Sequence, residues 1–314
     1  MLIEDSAIGM EPPSRTASPI LLPYFRACLK KPITRVAGIA VVIALTVLGK
    51  AAMAETLLER GSYLVNGIGV CGNCHSPQNP DGTLSGPPLS GGKGLIEPDF
   101  VAYPPNLTPD RETGLGTWTE AQIVTALREG HTPMGTVLRP PMPIPFYRSL
   151  SDRDAHAIAV YLRSLAPVKN QVPQSQYSRP TPTGFGGPVG TIPDPDPADK
   201  IAYGHYLAQL GHCMACHTPR DATGHFDMAH RMGAGGHLLQ GVFGAVVSQN
   251  ITPDVSTGIG GWSDQQLKTA LTEGMRPDGS RIISPMPWRY LATMRDQDVD
   301  ALIAYLRTLK PVVN

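Results

Sequence analysis

Apolar residues recur at helical spacing along this chain, and then the same spacing returns. Ile158, Tyr161, Leu162 and Leu165 follow the i, i+3, i+4, i+7 pattern of one buried helix face. Val299, Leu302, Ile303 and Leu306 repeat it. The pattern predicts helices over residues 152–165 and 296–309, each with a proline just beyond its end (Pro167, Pro311). Two more pairs match. Residues 57–65 and 201–210 read as helices, each with an internal glycine and a nearby tyrosine (Gly61 and Tyr63, Gly204 and Tyr206). A glycine inside a helix is costly and suggests close packing there. Thr119-x-x-Gln122 and Ser263-x-x-Gln266 fit the capping box of a further pair, which runs to Gly130 and Gly274.

The likeness extends beyond periodicity. Asn106-Leu107-Thr108-Pro109-Asp110 returns as Asn250-Ile251-Thr252-Pro253-Asp254, Trp118 as Trp262, and Pro141-Met142-Pro143 as Pro285-Met286-Pro287, all 144 positions later. One fixed period means one unit used twice. The expected layout is a first unit over 55–168, a linker over 169–199 rich in Pro and Gly, and a second unit over 200–314. The Gly-rich loops 76–105 and 218–249 carry no period and are expected to form no elements of their own.

Each unit holds one short motif with chemistry in it: Cys71-Gly72-Asn73-Cys74-His75 and Cys213-Met214-Ala215-Cys216-His217. Cys-x-x-Cys-His reads as an attachment site for c-type haem. The two thiols bond to the porphyrin edge, and the histidine offers its imidazole to the iron from the same turn. Zinc takes paired cysteines and a redox dithiol uses Cys-x-x-Cys, but neither requires the histidine that follows both times. Two covalently bound haems are therefore expected.

Composition sets the surroundings. The 314 residues are 41% hydrophobic, with 33 Gly and 32 Pro, so long loops join ample cores. Charges balance at 26 basic and 26 acidic, which offers no basic face for nucleic acid. Residues 1–54 read as an export leader: Arg26, Lys30, Lys31 and Arg35, then the apolar run 36–49, then Ala52-Met53-Ala54. The run is short of the roughly 20 residues that span a bilayer, which favours cleavage over an anchor and predicts a periplasmic chain. Its removal takes six bases and three acids, leaving 20 against 23. Cys28 goes with it, so the remaining four cysteines are those of the two motifs.

Beyond His75 and His217, each iron takes a Met, a His or nothing. Met134 aligns with Asp278 and Met294 with Leu150, whereas Met142 aligns with Met286 inside an identical Pro-Met-Pro. The flanking prolines hold each Met on stiff, extended backbone. A Met beside Pro also serves as gap-filling core. The remaining histidines read as surface or satisfied core, with a swapped iron ligand the alternative, chiefly for His230 and His237 in the loop 218–249 expected to wrap the haem. Trp118 and Trp262 read as propionate donors or apolar packing, and Asn106 and Asn250 as turn formers or propionate partners.

Taken together, these motifs resemble the cytochrome c subunits of bacterial periplasmic dehydrogenases acting on alcohols, gluconate, sorbitol or aldehydes. The resemblance covers nearly all of residues 55–314. It implies an all-α fold of two tandem class I-like cytochrome c domains, with His75 and Met142 on one iron and His217 and Met286 on the other. It implies an electron-transfer protein without catalytic residues. Its partners would be a dehydrogenase catalytic subunit and a downstream cytochrome, terminal oxidase or quinone, with peripheral membrane association left open. Many members carry three haem units, and this chain has two. A dihaem peroxidase would need an open iron, which the matched Pro-Met-Pro opposes. A thiosulfate-oxidising cytochrome would want a further cysteine.

Overall fold

The six longer helices fall where periodicity and caps place them. In this computed structural model, which describes residues 54–314 except Thr181, the first half runs α1 (Leu57–Asn66), α2 (Cys71–His75), β1 (Leu95–Glu97), β2 (Phe100–Ala102), α3 (Glu120–Glu129), α4 (Ile144–Tyr147) and α5 (Asp152–Ser164). A short strand β3 (Gln176–Tyr177) follows, then α6 (Lys200–Leu210), α7 (Cys213–His217), β4 (Leu238–Gly241), β5 (Gly244–Val247), α8 (Asp264–Glu273), α9 (Trp288–Leu291) and α10 (Asp296–Leu306). The expected leader lies outside the described residues except for Ala54. No helix among the described residues is long and apolar enough to cross a membrane.

Local chemistry explains the boundaries. The capping boxes at Thr119 and Ser263 are both made, and Thr56 with Glu59 adds a third at the start of α1. Gly130 and Gly274 end α3 and α8 in the left-handed conformation, at φ 75° and 66°. The internal glycines let two helix pairs touch. A Cβ on Gly61 of α1 would lie 1.9 Å from the Ala157 carbonyl oxygen of α5, and one on Gly204 of α6 would lie 1.9 Å from that of Ala301 in α10. Around these crossings a buried apolar cluster runs through both halves, from Leu64, Val65 and Ile158 to Leu207, Leu302 and Leu306.

The all-α expectation is corrected by a five-stranded antiparallel sheet in the order β3-β2-β1-β4-β5. It forms from the loops expected to carry no elements, and β3 comes from the segment 169–199. The hairpins β1–β2 and β4–β5 join across the halves, with Leu95 opposite Gly241 and Ile96 opposite Gln240. Strands of two to four residues are too short to show a period, and the central pairing joins residues some 145 positions apart. Glu97 seals this junction: it accepts from Arg220 at 2.8 Å and faces buried His237 at 3.5 Å.

Candidate functional site

The two Cys-x-x-Cys-His motifs fold as matching one-turn helices, α2 and α7. Each is entered through a residue in the left-handed region, Val70 at φ 44° and His212 at φ 40°. Such backbone is rare for a β-branched residue and concentrates at functional sites. The Asn73 N–H donates to the Val70 carbonyl and the Ala215 N–H to that of His212, both at 2.9 Å. Helical spacing of three brings Cys71 beside Cys74 and Cys213 beside Cys216.

All four thiols are unpaired. Burial pushes Cys71, Cys213 and Cys216 up to about 12 and Cys74 to about 11. A redox dithiol needs the opposite, a thiolate stabilised near neutrality. Among the described residues no three His, Cys, Asp or Glu side chains converge as a metal site, as a four-cysteine zinc reading would require.

The two histidine rings are tethered alike. His75 Nδ1 lies 2.8 Å from the Pro105 carbonyl oxygen, and His217 Nδ1 lies 2.7 Å from that of Gln249. A carbonyl only accepts, so Nδ1 carries the proton and Nε2 keeps its lone pair for a metal. Burial lowers both pKa values, which keeps the rings neutral.

The repeated Asn-x-Thr stretch explains why those carbonyls are in place. Asn106 Oδ1 accepts from the Thr108 N–H, and Asn250 Oδ1 from the Thr252 N–H, both at 2.9 Å, closing an Asx turn after each carbonyl. The Asn106 and Asn250 amides donate at 2.7 Å to the carbonyls of Val168 and Val312. Both side chains are thus engaged within the protein as turn formers. Trp118 and Trp262 pack against the apolar cluster, and their carbonyls accept from Arg163 and Arg307.

Met142 and Met286 stand in equivalent loops, half-buried against the apolar cluster. Their N–H groups donate to Arg139 and Ile283 carbonyls, each at 3.2 Å. A cis peptide precedes each loop's Pro-Met-Pro, at Pro140–Pro141 and Ser284–Pro285. Met134, by contrast, is 67% exposed, and Met294 is buried in the core at 8%. His230 is exposed beside Asp227, and His237 is taken by Glu97. Each half therefore offers two neutral thiols, one imidazole with a free Nε2 and one thioether. This donor set fits covalently attached haem.

Residues 201–310 match the cytochrome c family model. Over those residues the chain is similar to cytochrome c. The chain as a whole is similar to the "gluconate 2-dehydrogenase cytochrome c subunit" of Pantoea cypripedii, 31% identical over 274 residues, covering 81% of this chain and 60% of that protein. It is similar to the cytochrome c subunit of the quinone alcohol dehydrogenase of Gluconobacter oxydans at 31% identity, covering 82% and 56%. It is 28% identical to a "diheme cytochrome c-type" protein of Cereibacter sphaeroides, covering 78% of this chain and 83% of that one. The chain thus spans about 60% of the length of the gluconate dehydrogenase subunit.

The cysteines, histidines and methionines singled out in the sequence stand in equivalent places in the two halves. Sequence reasoning missed the Pro105 and Gln249 carbonyls, which are backbone groups. Their only sequence signal is the Asn-x-Thr that follows each.

Proposed function

We propose that this chain is a periplasmic dihaem cytochrome c that accepts electrons from a dehydrogenase catalytic subunit and delivers them to a downstream cytochrome, oxidase or quinone. The observation that carries it is the doubled site: the same Cys-x-x-Cys-His turn, the same Nδ1-to-carbonyl tether and the same Pro-Met-Pro loop in both halves. Bound haem supplies a one-electron couple at each site. The chain's own residues do the rest. Cys71, Cys74, Cys213 and Cys216 would hold the group covalently, and His75, Met142, His217 and Met286 would supply the ligands to its irons. A thioether in that place favours the reduced iron and raises the potential. Met142 and Met286 both pack against the apolar cluster.

The similarity to dehydrogenase cytochrome subunits supports an electron donor of that class, and residues 1–54 support export. The test is stopped-flow mixing of the oxidised chain with a dehydrogenase catalytic subunit encoded beside its gene, plus that enzyme's substrate. Rapid reduction of two haems per chain is expected. Peroxide turnover at a high-spin iron, without reduction by the dehydrogenase, would overturn the reading.

A further inference from the structure

The two residues between the cysteines of the first motif both touch the other half. The Asn73 side-chain amide donates across the halves to the Pro285 carbonyl at 3.0 Å, one residue before Met286. Gly72 lies under Tyr290 of α9, the short helix that follows that Pro-Met-Pro. A Cβ there would meet the ring at 2.6–3.0 Å, at Oη, Cε1 and Cζ. Asn73 and Met286 line one narrow cleft together with Pro287 and Tyr290. The first attachment turn is thus packed onto the loop that carries the second methionine.

The contact has no mirror image. The positions equivalent to Gly72 and Asn73 are Met214 and Ala215. Ala215 has no side-chain donor for the Met142 loop, and Met214 is buried at 1% exposure. Motif function alone asks nothing of these two positions. Here one is bare so that a tyrosine can close over it, and the other is an amide that fixes a carbonyl.

We propose that Asn73 is a positioning residue for Met286: a side chain inside the first Cys-x-x-Cys-His motif holds the loop that carries the second site's methionine. Pro285 and Met286 are adjacent in the chain, so freeing the Pro285 carbonyl loosens the backbone that presents the Met286 sulfur. The inference rests on the reading of Met286 as a ligand.

The test uses full-length protein carrying its haems, with Asn73→Leu and Asn73→Asp, which remove the donor at nearly constant size. Asn73→Ser serves if attachment fails in either. Imidazole is the probe, because it binds ferric iron only where the methionine lets go. Met142→Ala and Met286→Ala assign the signals to the first and second sites. The loss of one hydrogen bond should tighten imidazole binding at the second site about fivefold. It should also weaken that site's sulfur-to-iron charge-transfer band and leave the first site unchanged. If the change falls on the first site or on neither, while Met286→Ala still removes the second band, the inference fails and the ligand reading stands. If Met286→Ala leaves both bands intact, the ligand reading itself fails.

Discussion

Tyr206 of α6 donates its hydroxyl to Asp154 of α5 at 2.7 Å, so that each half grips the other by the same residue pair. The counterpart is Tyr63 of α1, which donates to Asp298 of α10. Tyr63 and Tyr206 are repeat equivalents, as are Asp154 and Asp298. The seam is therefore a pseudo-twofold contact made by a duplicated unit with itself, and it fixes the two attachment turns relative to each other.

The symmetry breaks at one position. Asp154 also holds Arg60 through two bonds at 2.8 and 2.7 Å. The residue equivalent to Arg60 is Tyr203, so buried Asp298 lacks that cation, and its Oδ1 has no partner among the described residues. Arg295, nearby, pairs with Glu55. Tyr63→Phe should accordingly cost about 1–3 kcal/mol and Tyr206→Phe about 0.5–1.5 kcal/mol. Urea unfolding of the two variants checks this. Equal costs, or the reverse order, would show that Arg60 does not set the difference.

Gly61→Ala and Gly204→Ala should both destabilise, by about 1–3 kcal/mol each through overpacking. On an open helix face the same change would stabilise by up to about 1 kcal/mol. The reversal follows from the carbonyl oxygens of Ala157 and Ala301, 1.9 Å from where each new Cβ would sit. Thermal melts of the two variants suffice. A neutral or stabilising result at either site would contradict the helix crossing described there.

Glu97 links acid sensitivity to the sheet. Burial works to raise its pKa, but hydrogen bonding and charge from His237 and Arg220 outweigh it and hold the carboxyl below its ordinary value. A depressed folded pKa adds stability above the unfolded value, and this is lost as pH falls through the folded one. Glu97→Gln should therefore cost about 1–3 kcal/mol at neutral pH. The gap to wild type should close below about pH 4, where glutamate protonates. Unfolding free energies across that range decide it. A gap that stays constant with pH would remove the ion cluster as its cause.

Much of this molecule is legible in its residues because local rules decide it. The capping boxes at Thr119 and Ser263 and the stop glycines 130 and 274 set helix ends without tertiary help. The attachment motif is local for the same reason, since one turn must present two thiols and an imidazole. The sheet is different in kind. Ile96 finds Gln240, and Val101 finds Gln176, only after the chain has folded back on itself. Nothing in runs of two to four residues announces such partners. The Asn73 contact and the Tyr–Asp seam are hidden likewise, being long-range pairings between halves that look independent when read along the chain.

The central claim is that each half ligates one haem through a histidine and a methionine. A spectroelectrochemical titration of the purified protein, run beside Met142→Ala and Met286→Ala, tests it most directly. The expected result is two haems per chain, both low-spin with sulfur-to-iron bands. Each variant should lose one band and lower one potential, a different one in each case. Potentials and bands unchanged in either variant would contradict the assignment of that methionine, and a single haem per chain would contradict the doubled site.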